Sequence, residues 1–357
     1  MTSVAAPIGA GIEDGRSFRL NFLLHLDRDL SPAQAYREAI ELFVAAEELG
    51  YDSGWVIQRH FRQGNEHISA PLVTLAAIAQ HTSRIRLGTG VLVLPLEDPL
   101  KVAEDAATLD VLSNGRLELG LGSGPFPGAW EAFGRDLSDK QRLVDESIDR
   151  LHGALEGKSL NSAGEVLYPP GHGVRDRLWQ ATTSEPTHAH DAARAAALAG
   201  DGLQLSRATT FRGGSAREAQ ERQAAWIDSY RGAWNDPVRS PRVQVSRAVY
   251  PHPDREVATR LVTPGVQRWQ SWSTSGKQTR SQSVEDYLAA DNALIGPSET
   301  LAAELAADPA LRDITDLLVS FVPGVPDRDE HLRLLETSAR ELAPLLGWRS
   351  AAASVPS

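Results

Sequence analysis

IRLGTGVLVL, Ile85–Leu94, is the stretch on which the fold turns. It is apolar on both faces for much of its length, as a strand covered by helices on both sides of a parallel sheet should be. Gly88 and Gly90 interrupt it. Glycine weakens a strand interior, so two readings stand there: a kink at a crowded wall, or a bulge where a ligand approaches. Working outward, Ser53–Phe61 reads as the preceding strand and Ala70–His81 as its helix. On the other side Asp98-Pro99 opens a helix that Asn114-Gly115 ends, and Arg116–Gly122 is the next strand.

The same unit recurs in both directions. Phe18–Leu26 (FRLNFLLHL) is the first strand. In the following Ser31-Pro32-Ala33-Gln34, Ser caps, Pro takes the first helical position and Gln closes a capping box. Ala35, Ala39, Leu42, Phe43, Ala46 and Leu49 then mark one helical face, and Gly50 stops it. Downstream, Ser138–Leu155, Pro186–Ala199, Ala216–Trp234 and Glu330–Leu346 are helices. Leu178–Thr183, Gly202–Ser206, Arg242–Tyr250 and Asp316–Val322 are strands. Eight alternations favour a closed (β/α)8 TIM barrel over an open doubly wound sheet.

Two stretches fall outside the minimal unit. Glu156–Arg177 is rich in Gly and Pro and reads as a loop. Pro251–Gly296, after strand seven, is a polar insertion carrying Trp269 and Trp272. Residues Thr263–Pro297 within that region are expected to form a mobile lid over the barrel mouth, the alternative being a disordered surface loop anchored by its tryptophans. Residues 16–349 are expected to form one domain, with 1–15 and 350–357 as flexible tails.

Bulk properties exclude several classes. The 357 residues can bury roughly three quarters of their surface in one large domain. The net charge of -11 and the absence of a basic run argue against nucleic acid as a partner. There is no cysteine, which removes disulfides, thiolate metal sites and a cysteine nucleophile. No signal-peptide pattern opens the chain and no run has the roughly 18 apolar residues of a membrane span, so a cytoplasmic location is expected.

Several motifs bear on chemistry. Gly120-Leu121-Gly122-Ser123-Gly124-Pro125 lacks the Gly-Lys-Ser/Thr of a Walker A loop and the GxGxxG spacing. It reads either as a tight turn or as backbone that approaches a flat ligand, and the end of strand four is where barrel active sites lie. Gln58-Arg59-His60-Phe61 ends strand two with polar residues, making Arg59 and His60 candidates for anion binding and acid/base work, against a structural role for His60. Thr182-Thr183-Ser184 precedes a helix and suits either plain capping or a phosphate. His188 and His190 lie two apart on a helix and do not face one another, so no metal site is expected.

Four stretches together carry a family resemblance: WVIQRHF (Trp55–Phe61), RIRLGTGVLVLPLEDPL (Arg84–Leu100), EDAATLDVLSNGRLELGLGSG (Glu104–Gly124) and WEAFGRD (Trp130–Asp136). In order and spacing the chain resembles the bacterial-luciferase-like flavin-dependent monooxygenases, FMN-dependent subgroup. The resemblance implies a (β/α)8 barrel with the flavin at its C-terminal mouth. It implies a non-prolyl cis bond at Gly90–Val91, Gly122 and Ser123 beside the flavin ring, and Thr183 and Ser184 on its phosphate. Arg59 stands where the family often has a catalytic His, and His60 matches the second residue of that motif. Reduced FMN supplied by a flavin reductase, O2, a small organic substrate and a homodimer through helices two and three are further implications. The alternatives are F420-dependent hydride transfer and a non-catalytic flavin-binding partner subunit.

Overall fold

The computed structural model describes residues 8–26, 29–182, 186–207, 215–272 and 283–351. Each apolar run pairs in parallel with the next. The strands are β1 (Arg19–Leu24), β2 (Ser53–Val56), β3 (Arg86–Thr89), β4 (Leu92–Val93), β5 (Leu117–Gly122), β6 (Leu178–Ala181), β7 (Gly202–Leu205), β8 (Val243–Pro251), β9 (Leu294–Gly296) and β10 (Asp316–Ser320). The ladder runs β10-β1-β2-β3-β5-β6-β7-β8, and β8 pairs back to β10, so the sheet closes. With β3 and β4 as two pieces of one strand, this is the eight-stranded parallel barrel expected; β9 pairs with the far end of β8 outside the closed ring.

The helices are α1 (Pro32–Leu49), α2 (Pro71–Ala79), α3 (Pro99–Leu112), α4 (Pro127–Ala132), α5 (Lys140–Leu155), α6 (His172–Arg175), α7 (Pro186–Leu198), α8 (Ala216–Ala233), α9 (Arg255–Trp272), α10 (Val284–Ala290), α11 (Ser298–Ala306) and α12 (Arg328–Thr337). The capping box at Ser31 and Gln34 is formed, and Gly50 ends α1 at φ +86°. The buried face of α1 is Ala35, Ala39, Leu42, Phe43 and Ala46, one stripe at helical spacing.

The barrel interior is filled from below. At the N-terminal strand ends, Arg19 binds Asp316 at 2.7 Å, and Glu118 lies 2.5 Å from Arg86 and 3.7 Å from Arg242. Above them Trp55 and Trp179 meet edge to face at 5.9 Å and pack with Leu318 and Leu23. Both indole N–H groups find acceptors, Trp55 on Ser53 Oγ and Trp179 on Glu118 Oε2, each at 2.6 Å. Room for the two rings comes from facing glycines. A Cβ on Gly88 would lie 2.1 Å from Trp55, and one on Gly202 would lie 2.3 Å from Trp179.

Three expectations need correction. Strand two stops at Val56, and His60–Asn65 is a 3₁₀ turn, because the polar residues after Ile57 leave the ladder for side-chain partners. The insertion after β8 is not irregular chain: α9, α10 and β9 occupy most of it. Ala258, Val262 and Val266 of α9 are fully buried, an i, i+4, i+8 stripe that fixes the helix to the core. Of the expected lid, residues 263–272 thus belong to α9 and 283–297 include α10 and β9, while 273–282 lie outside the described residues. Finally, part of the expected N-terminal tail is docked. Ile8 is buried, and the backbone N–H groups of Ile8, Gly9 and Ala10 donate to Leu346, Leu311 and Ile314.

Candidate functional site

Period-two alternation sets what faces the barrel axis. One period above the tryptophan layer, the inward positions include the small Gly90, Gly122, Ala181, Ala248 and Ser320, with the larger Ile57 and Gln204 following Trp55 and Gly202, and Leu23 in register with Trp55. Most of the described residues at the C-terminal end of the barrel are thus small, and they form a bowl with a tryptophan floor. Leu23, Gly90, Gly122 and Ala181 are half-buried where Trp55 and Trp179 below them are buried.

The wall between β3 and β5 is built around the Gly90–Val91 peptide, which is cis as expected. The break separates β3 from β4. Thr89 Oγ1 donates to Gly120 O at 2.7 Å and accepts from Gly120 N at 2.8 Å. A Cβ on Gly122 would lie 2.4 Å from Val91 Cγ2, and one on Gly124 2.6 Å from Val93 Cγ1. Gly122 and Gly124 therefore make room first for the side chains of the broken strand. Gly90 differs: the nearest atom to its Cβ would be Leu23 Cδ1 at 3.2 Å, on the bowl side. Ser123 lies between Gly122 and Gly124 and is half-buried.

Arg59 and His60 stand beside Val91. The three line one narrow cavity with Gly124, Phe126 and Trp130. The Arg59 guanidinium lies 4.9 Å from the centre of the Phe126 ring and donates to Gln58 O. Its Nε is buried and has no hydrogen-bond partner among the described residues. Burial draws this guanidinium down to about 10, with Glu66 opposing. His60 is buried, packs edge-on against Phe133 at 4.8 Å, and likewise leaves Nε2 unpartnered among the described residues. Burial lowers its pKa, with Glu97 opposing, so the ring is neutral at neutral pH. A wider cleft of about 470 Å3 opens on its other side, lined by Phe61, His67, Glu97 and Phe133 among others.

Residues that the sequence reading passed over hold this corner. Gln58 Oε1 accepts from Val93 N at 2.6 Å, while its Nε2 donates to Ser69 O and Glu97 Oε1, so one side chain ties β4 to the loops of β2 and α3. Glu66 is buried and accepts from Leu26 N at 3.0 Å. His25, just past β1, has Nδ1 at 2.6 Å from Glu66 Oε1. A polar residue after an apolar strand was the signal at Gln58-Arg59-His60, and His25 in FRLNFLLHL carries the same signal. Across the mouth, Arg207 past β7 pairs with half-buried Asp291 at the end of α10 and ties the insertion to the barrel.

Thr183 and Ser184 lie outside the described residues. Thr182 beside them is buried, with Oγ1 unpartnered among the described residues. Ser320 Oγ in the bowl is buried and unpartnered in the same sense. Buried polar groups are as a rule hydrogen-bonded, so such atoms at a mouth mark where a ligand's polar edge could bind. A bowl of small residues over an aromatic floor, with donors left over, fits a flat heteroaromatic ring.

The luciferase-like monooxygenase model matches residues 17–315. The oxygenase component of the flavin-dependent trigonelline monooxygenase of Acinetobacter baylyi is 34% identical over 145 residues, 39% of this chain and 40% of that protein. The chain spans between about a third and a half of the length of the curated relatives it matches first. Among solved structures, the oxygenating constituent of 3,6-diketocamphane monooxygenase from Pseudomonas putida, in complex with FMN, superposes with a TM-score of 0.72 at 20% identity, over 92% of this chain and 98% of that one. The F420-dependent tetrahydromethanopterin reductase of Methanopyrus kandleri does so with a TM-score of 0.65 at 16% identity, over 92% and 99%. At these identities the two structures speak for the barrel alone. The family model spans most of the sequence, mouth residues included, and by it the chain belongs to the luciferase-like monooxygenases.

Proposed function

We propose that this chain is the oxygenase component of a two-component flavin monooxygenase, taking reduced FMN from a separate reductase and oxidising a small organic substrate. The observation that carries the reading is the bowl of small residues above Trp55 and Trp179, at the strand ends where barrel enzymes bind ligands. Reduced FMN would supply the two electrons and two protons with which O2 gives one oxygen atom to the substrate and the other to water. Gly90, Val91, Gly122 and Ser123 would hold the ring, and Thr183 and Ser184 the phosphate. Arg59 and His60 would position the substrate from the side of β2. The luciferase-like family and the flavin-dependent trigonelline relative support a flavin, with FMN the first reading and hydride transfer with F420 the second. A homodimer through α2 and α3 belongs to the same proposal, and Val73, Val111 and Leu112 on those helices are exposed.

The test is titration of the apoprotein with FMN and with F420, followed by absorption. FMN binding, with turnover that depends on an added flavin reductase, is expected; selective F420 binding sinks the FMN reading. A sharper arm uses Thr183→Ala with Ser184→Ala. The pair should weaken FMN at least tenfold more than riboflavin, because FMN alone carries a phosphate for a helix N-terminus. Equal loss for both ligands leaves the two residues as caps.

A further inference from the structure

Outside the residues assigned above, the barrel mouth holds a buried carboxylate with no role in that assignment. Glu66 follows the 3₁₀ turn His60–Asn65 and is almost fully buried, its side chain 1% exposed. A carboxylate so placed needs partners. It has the ring of His25, the N–H of Leu26 and the nearby charge of Arg59. Burial raises the Glu66 carboxyl, but these partners outweigh it and hold the group below the ordinary carboxylate range. Glu66 is thus ionised at neutral pH and can only accept, which places the ring hydrogen of His25 on Nδ1. Whenever the ring carries a single hydrogen, its lone pair then lies on Nε2. His25 stands one residue past the C-terminal end of β1, and its side chain is 10% exposed, so the ring is neither sealed in the core nor free in solvent.

We propose that His25 is the proton-transfer residue of this mouth and that Glu66 is its positioning residue. The inference rests on the monooxygenase reading. In the step, an acidic O–H or C–H of the substrate breaks, its electron pair stays on the substrate atom, and the proton forms a new bond to His25 Nε2. Glu66 balances the charge of the resulting imidazolium, and the reverse transfer restores the neutral ring. The neighbours fit this division of labour. Arg59, down to about 10, stays a cation at neutral pH, while the His60 Nε2 is buried.

Two measurements test the assignment. The first needs no activity: nitrogen-15 NMR of the histidine-labelled full chain at neutral pH, with His25→Gln to assign the resonance. The expected signal is an Nδ1–H tautomer that is lost or mixed in Glu66→Ala. An Nε2–H tautomer for His25 in the parent protein overturns the proposal. The second measurement uses reduced FMN, O2 and a panel of alkanal, terpene and aromatic probes. His25→Ala should lower kcat on the order of 10²–10⁴-fold, with FMN affinity within about twofold and with partial rescue by added imidazole. Glu66→Gln should lower kcat by more than about tenfold and up to roughly 10⁴-fold, the loss seen when the carboxylate orienting a catalytic imidazole becomes an amide. Turnover of His25→Ala within about twofold of the parent overturns the proposal and leaves the flavin reading intact. A parent chain that binds no FMN sinks the flavin reading, and the tautomer measurement still decides the pairing of His25 with Glu66.

Discussion

At Gly120 a single hydrogen separates the native barrel from a clash. A Cβ there would lie 2.1 Å from Thr89 O, a backbone atom that cannot rotate away, and 2.6 Å from Gln204 Oε1. Gly120→Ala should therefore cost about 1–3 kcal/mol or more, the usual range for overpacking, read as a lower denaturant midpoint. His60 makes the opposite case. Its ring touches Phe133 and its Nε2 has no partner among the described residues, so little bonding is lost with it. His60→Ala should lower turnover with reduced flavin far more than it lowers Tm, and a collapse of folding with normal activity per folded molecule would make the residue structural. The sequence marks Arg59 and His60 as a pair because polar residues close an apolar run. It does not reveal Glu66, because a carboxylate in a polar loop looks solvated until the fold brings His25 onto it.

Among the elements, α9 separates what periodicity can and cannot reveal. The helix carries Pro264 and Gly265 at its centre and many polar residues, so its composition reads as loop. Its burial follows Ala258, Val262 and Val266, three apolar residues at helical spacing that are diluted by their neighbours. Gly265 shows why a poor helix former persists: a Cβ there would fall 1.6 Å from Pro323 O, in the segment just past β10. In an exposed helix Gly→Ala gains about 1 kcal/mol. Here Gly265→Ala should instead destabilise the protein, with faster hydrogen exchange along α9. Unchanged or slower exchange would mean the contact yields easily. The α1 boundaries are legible in the sequence because capping and termination are local chemistry, whereas the end of β2 is not, because loop partners such as Glu97 are distant in sequence.

For the whole molecule, closure of the barrel concentrates charge at one end. Burial raises the carboxyls of Glu118 and Asp316, but Arg86 and Arg242 around the first, and Arg19 beside the second, outweigh it and hold both below the ordinary range. A depressed carboxylate contributes stability that is fully present above its unfolded pKa and is lost as pH falls through its folded one. The barrel should therefore lose stability progressively below about pH 4–5, where carboxylates in the unfolded chain take up protons. Urea midpoints measured from pH 7 down to pH 3 test this. Glu118→Gln should lower the midpoint at pH 7, because it leaves two half-buried guanidinium groups without their carboxylate, and should flatten the acid slope. An unaltered slope would place the acid sensitivity elsewhere. Eightfold alternation gave this architecture from sequence, since each strand–helix unit states its own period; the pairing of charges across the floor depends on which strands become neighbours when β8 meets β10.

The two tryptophans and the glycines that face them also fix an order of evolutionary events. Trp55 occupies the space a side chain at position 88 would need, and Trp179 does the same for position 202. A lineage that enlarges Gly88 while Trp55 remains meets a clash inside a closed barrel. One that first shrinks Trp55 passes through a cavity, destabilised but folded, and only then can fill position 88. Each pair should thus change in one direction, indole first and glycine second, and ancestors of relatives with a smaller residue at position 55 should have kept the glycine longer.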